Sequence, residues 1–190
     1  DVELPVLEAL IDGRGSLSKP ISNLRFDGLT FAYGTWLDPS GPNGYAADQS
    51  GFHLTGTSHQ PNLIGHDQNT ERTPGNVRFR FARNIEVIGN DFVHLGGAGL
   101  DFDTGSQNNT IVGNRIEDVS SAAIQLGGVA VVDHHPTDPG QTTRDNTISN
   151  NLIKSVGREY QDAAGIYVGF TTRSLVSHND ISNVPWSGIA

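Results

Sequence analysis

The 190-residue chain contains no cysteine and no methionine. Without cysteine there can be no disulfide, no thiolate nucleophile and no Cys-ligated zinc, and the sequence carries no mark of a redox compartment. Without methionine there is no initiator residue, so the sequence reads as a processed product, a fragment or an excised part of a longer protein. Lysine is almost missing as well, occurring only at Lys19 and Lys154. The 12 Lys plus Arg face 21 Asp plus Glu, for a formal charge of -9, which argues against a phosphate-binding surface and against nucleic acid as partner. There is no run of eighteen apolar residues and no basic N-terminus leading into an apolar stretch. Neither a membrane span nor a retained signal peptide is therefore expected.

What the chain does have is 23 glycines, a recurring asparagine and enough apolar residues, at 35%, to fill a core. This balance suits turns and tight coils better than helical bundles. One short pattern returns four times: Val87-Ile-Gly-Asn90-Asp-Phe92, Ile111-Val-Gly-Asn114-Arg-Ile116, Ile148-Ser-Asn-Asn151-Leu-Ile153 and Val176-Ser-His-Asn179-Asp-Ile181. A small-residue step and a second apolar alternation follow each copy, at Gly99-Leu100-Asp-Phe102, Ala123-Ile124-Gln-Leu126, Gly165-Ile166-Tyr-Val168 and the unfinished Gly188-Ile189. The marker asparagines stand 24, 37 and 28 residues apart. A basic coil of about 24 residues with insertions of about 13 and about 4 accounts for all three spacings.

Each repeat offers three short segments of period two, separated by Asn or Gly corners, and no stretch has helical periodicity. Such segments can pair with their equivalents one repeat away, which predicts an all-β parallel solenoid filled by stacked Ile, Val, Leu and Phe. Asn90, Asn114, Asn151 and Asn179 are expected to form an internal ladder, each at a left-handed turn with its amide bonded to the next, about 4.8 Å away. An earlier copy from Phe26 to Tyr33 begins the solenoid, and Asn76 to Phe81 resumes it after a long loop excursion over residues 35 to 75. Residues 1 to 190 form one solenoid domain on this reading. The chain stops mid-strand, so further coils of the same polypeptide or a partner chain would complete the open C-terminal end.

Aligned copies put Asp101, Gln125 and Tyr167 at one position of successive coils, expected as an outward, solvent-facing row. Asp103 falls on the same face, with backbones about 6.5 to 7 Å from Asp101, near the lower edge for an acid and a base that admit a water between them. Two insertions, Val129 to Asp145 and Gly157 to Asp162, are expected to rise beside that row and turn a flat face into a cleft. They supply Asp133 and Glu159 as further carboxylates, and His134, His135 and Arg158, with Gln125 and Tyr167, as substrate-gripping groups. The adjacent His pair has no metal-ligand spacing, nor does the stretch with His53, His59 and His66, so neither metal nor cofactor is expected. His94, Asp118, Ser155 and Asn183 form another outward row, chemically mixed, that reads as solvated surface.

Five segments, Val93-His-Leu-Gly-Gly-Ala-Gly99, Gly105-Ser-Gln-Asn-Asn109, Asp133-His-His-Pro-Thr-Asp138, Thr143-Arg-Asp-Asn146 and Val184-Pro-Trp-Ser-Gly-Ile189, together resemble a broad group of bacterial right-handed parallel β-helix proteins. Within it the resemblance is to sequences related to glycoside hydrolase family 141, with α-L-fucosidase and xylanase activities. It covers most of residues 20 to 190 and implies a right-handed helix, a carbohydrate substrate and a secreted protein. It assigns no catalytic residue, so the candidates above rest on the row and the insertions.

Three readings stay open: a glycoside hydrolase with Asp101 and Asp103 as acid/base pair, a polysaccharide lyase of similar shape, and a non-catalytic carbohydrate-binding or adhesive solenoid. A lyase would need a base near a uronate's C5 and cations neutralising its carboxylate. The overall acidic balance counts against an acidic polymer.

Overall fold

A computed structural model describes residues 4–42, 44–55 and 70–190 of the chain. Alternation of inward apolar and outward polar residues makes each repeat a set of short strands, and the strands pair between coils as the spacing predicts. The first sheet takes β1 (Ile11–Arg14), β7 (Gly75–Arg80), β11 (Ala98–Phe102), β14 (Ile124–Leu126) and β17 (Ile166–Val168). The second takes β3 (Arg25–Asp27), β9 (Glu86–Ile88), β12 (Thr110–Val112), β15 (Thr147–Ser149) and β18 (Leu175–Ser177). The third takes β4 (Thr30–Ala32), β10 (Asp91–Leu95), β13 (Arg115–Val119), β16 (Leu152–Val156) and β19 (Asp180–Ser182). Every pairing in these three sheets is parallel. The short strands β2 (Ile21–Ser22) and β8 (Ala82–Arg83) pair at a corner. The solenoid thus starts earlier than the Phe26 copy, because β1 and β2 already pair with the coil that follows the excursion.

Between the sheets, register stacks like upon like. Val77, Leu100, Ile124 and Ile166 form one column, and Val87, Ile111, Ile148 and Val176 another. Phe79 stacks on Phe102 at 5.0 Å and Phe31 on Phe92 at 4.9 Å between ring centres. Each fully buried side chain of this size contributes about 1.5–3 kcal/mol.

The asparagine ladder runs through the interior. Asn90 Nδ2 donates to Asn114 Oδ1 at 3.0 Å, Asn114 to Asn151 at 2.9 Å, and Asn151 to Asn179 at 2.9 Å. Each of these oxygens also accepts the backbone N–H of the asparagine one coil back. The left-handed residue, however, is the one before each ladder asparagine: Gly89 (φ 62), Gly113 (φ 71), Asn150 (φ 55) and His178 (φ 54). The turn is made by its neighbour, leaving the ladder residue free to point inward. A second ladder, Asn109 to Asn146 at 2.8 Å, lines the preceding corner.

Helix is confined, among the described residues, to α1 (Val131–His134) and a 3-10 turn at Asp38–Ser40, and no helix is long and apolar enough to cross a membrane. The excursion is more than a loop. β5 (Phe52–Leu54) and β6 (Thr70–Arg72) form an antiparallel hairpin within it.

Candidate active site

The outward face of the first sheet is a grid of charges. Asp12 on β1, Arg78 on β7, Asp101 on β11, Gln125 on β14 and Tyr167 on β17 are register partners in one row. Two residues further along, Arg14 pairs with Arg80, and Asp103 follows Phe102 on the same face. The expected row of Asp101, Gln125 and Tyr167 is present, lengthened by Asp12 and Arg78.

It does not face solvent. Asp101 is 8% exposed, Gln125 1% and Tyr167 9%, because the described residues of the excursion lie across this part of the sheet. Gln125 Nε2 donates to Thr73 O at 2.9 Å, Phe52 packs edge-on to Tyr167 at 5.5 Å, and the Arg72 guanidinium lies 5.4 Å from the Tyr167 ring centre. Gln125 and Tyr167 therefore hold the excursion down. The second insertion does the same work: Asp162 accepts the Tyr45 hydroxyl at 2.9 Å and the Gly51 N–H at 3.0 Å, while Tyr160 packs on Trp36 and Tyr45. Burial, with the charge of Glu159 second, pushes the Tyr160 hydroxyl up to about 12.

Arg72, at the end of β6, enters the row from above. Its Nη2 donates to Asp101 at 3.0 Å from Oδ1 and 3.2 Å from Oδ2, and stands 3.6 Å from Asp103 Oδ1. Its Nη1 donates to Gly127 O at 2.6 Å. One nitrogen thus reaches both carboxylates, so Asp101 Oδ1 and Asp103 Oδ1 stand no more than about 6.6 Å apart, at or below the roughly 6.5 Å at which an acid and a base begin to admit a water between them. Their environments differ. Burial raises Asp101 to about 6 against the opposing pull of Arg72, with the Asp103 charge adding to the rise. The Asp103 side chain is 37% exposed.

Asp133 approaches from the first insertion. Its Oδ2 accepts the Ala130 N–H at 2.9 Å, which caps the start of α1, and its buried Oδ1 has no hydrogen-bond partner. Alanine offers no side-chain oxygen, so this is half of a capping box. A side chain at Gly128 would collide with Asp133 Oδ2 and come within 2.8 Å of Asp103 Oδ1, so both carboxylates press on Gly128.

Asp101 and Asp103 open onto a cavity of about 330 Å³ shared with Asp12, Arg14, Arg78 and Arg80. The remaining expected residues stand elsewhere. His134 and His135 are exposed and pack against each other, His134 also against Phe170 at 5.1 Å. Arg158 is exposed beside Val184 and Pro185 in a separate hollow. Glu159 is exposed too, since the turn at Gly157 sends Tyr160 inward instead. His53 is buried against Trp36 and Tyr45; His59 and His66 lie outside the described residues. Among the described residues no three His, Cys, Asp or Glu side chains group as a metal site. The outward row at the third sheet pairs its members, His94 Nδ1 with Asp118 at 2.6 Å and Asn183 with Ser155 at 2.7 Å.

No family model matches the sequence, and no curated protein matches it significantly. Among solved structures, one named "Glycoside hydrolase" superimposes with a TM-score of 0.84 and 27% identity, over 98% of this chain and 33% of that one. The chain is similar to a glycoside hydrolase in fold and in sequence. It spans about a third of the length of that protein.

Proposed function

We propose that the chain carries the acid/base pair of a glycoside hydrolase acting on a plant or microbial polysaccharide. The observation that carries this is the placement of two unlike carboxylates, Asp101 and Asp103, within reach of one Arg72 nitrogen at an open cavity. Asp101, buried and raised, donates its proton to the glycosidic oxygen as the C–O bond breaks. Asp103, the more exposed, takes a proton from the water that attacks the anomeric carbon. Arg72 then neutralises the Asp101 carboxylate left behind. Similarity to the glycoside hydrolase supports a carbohydrate substrate, and the near-universal hand of parallel crossovers supports right-handed winding. Secretion fits a polymeric substrate.

A polysaccharide lyase is the second reading, favoured by the arginines at 14, 78 and 80 beside the carboxylates. Incubation with xylan, fucosylated and pectic polysaccharides separates them. New reducing ends without ultraviolet absorbance, lost in Asp101→Asn, are expected; unsaturated products would make the protein a lyase, and full activity in Asp101→Asn would remove the pair from the mechanism.

A further inference from the structure

We infer that the cavity over β1, β7 and β11 receives an anionic sugar, its carboxylate or sulfate held by Arg14, Arg78 and Arg80. This rests on reading the cavity as a sugar site, and it names the class of sugar.

The chain as a whole is acidic, with 21 Asp plus Glu against 12 Lys plus Arg. The cavity does not share that excess. Three arginines line it with three aspartates, and a fourth, Arg72, lies against Asp101 and Asp103 just above. When Asp101 carries the proton that the proposed acid role requires, four guanidinium groups face only Asp12 and Asp103. A region that repels polyanions elsewhere attracts one here.

The pairing within the grid leaves cationic capacity unused. Asp12 takes both Arg14, at 2.6 Å, and Arg78, at 2.9 Å. Hydrogen bonds from Arg14 and then Arg78 hold its carboxyl far below the usual range, so it stays ionised and is fully committed. Arg80 has no carboxylate partner among the described residues; its contact is the Phe81 ring, 5.5 Å away. Yet Arg80 sits directly opposite Arg14 in the parallel ladder. Like charges held in register repel each other, and an anion bridging the two guanidinium groups relieves that repulsion. Arginine suits the task because its fork of donors matches the paired oxygens of a carboxylate or sulfate. Arg14 is 76% exposed at its side chain, so such a group can reach it.

The test titrates the chain with D-galacturonate, D-glucuronate, galactose 6-sulfate and neutral D-galactose, following amide shifts by NMR at low and high salt. The expected result is binding of at least one anionic sugar roughly tenfold tighter than galactose, weakened by salt and by a similar factor in Arg80→Gln, with Arg80→Lys recovering part of it. The uronate and sulfate arms tell carboxylate from sulfate recognition. Arg115→Gln, on the third sheet, is the control and should bind as the parent does. Equal affinity for galactose and the anionic sugars, no binding of any anionic sugar, or an unaltered Arg80→Gln variant of unchanged melting temperature each overturn the inference. Anion binding without cleavage of any glycan would instead remove the hydrolase reading and leave this one standing. Cleavage of neutral glycans alone, insensitive to Arg80→Gln, would do the reverse.

Discussion

Arg72 Nη2 lies 3.0 Å from Asp101 Oδ1, and both side chains are 11% exposed. Two opposing influences meet at this carboxylate: burial lifts it to about 6, while the guanidinium pulls it down. Replacing Arg72 by Gln removes the downward pull. The basic limb of the pH–rate profile should then move to higher pH by about one unit, with Arg72→Lys intermediate. A limb that stays in place, or moves to lower pH, would show that this pair does not set the acid.

Wild-type turnover should fall as pH rises through about 6, because the proposed donor loses its proton there. The same shift has a stability counterpart. A carboxylate raised in the folded state favours folding while protonated, so its contribution is present below the ordinary value of 3.8 and lost as pH rises through about 6. Asp145, lowered to about 2 by Arg173, acts below that window with the opposite sign. Melting temperatures of wild type and Asp101→Asn, compared from pH 4 to 7, should differ in slope, the wild type falling relative to the variant as pH rises towards and through about 6. Parallel curves would mean that Asp101 is not raised.

Gly128 is where Asp103 and Asp133 converge, so Gly128→Ala should displace both. Overpacking of this kind costs about 1–3 kcal/mol, and turnover should drop further than the stability loss explains. Kinetics measured well below the melting temperature decide it: turnover equal to wild type would place Asp103 outside the reaction.

Along the asparagine ladder, cost should follow depth. Asn114 donates to Val87 O and Asn151 Oδ1 and accepts from Asn90, all buried. Asn114→Ala leaves several buried groups unpaired at about 1–3 kcal/mol each. Asn179, half-buried at the end of the ladder, should cost clearly less on chemical denaturation. Equal losses would mean that the rungs do not act as a buried column.

How much of this was legible beforehand differs between scaffold and site. Alternation plus a recurring asparagine suffices for the parallel sheets, since pairing one coil away is the only partner such short strands have. It also places Asp101, Gln125 and Tyr167 in one row. It cannot show that the row is covered, because the covering segment has no repeat. Arg72 carries no periodic signal at all; its role comes from where the hairpin of β5 and β6 lands. Arg14, Arg78 and Arg80 could have been found. Ile11-Asp-Gly-Arg14 and Val77-Arg-Phe-Arg80 share the alternation of Leu100-Asp-Phe102-Asp103, and aligning them exposes the charge grid. Arg158 and Glu159 stand away from the row for the converse reason. The polar residues of that insertion point to a cleft wall, whereas its aromatic Tyr160 decides where it packs.

The hairpin that carries Arg72 leaves the stack between the first two coils, yet its guanidinium binds the carbonyl of Gly127 two coils later and covers Tyr167 on the coil after that. The coils can assemble by nearest-neighbour stacking alone. The site cannot, since one of its charges arrives by a long-range closure that skips over its neighbours. A solenoid with every strand in register can still lack the proposed activity, which would report on whether the clasp has shut.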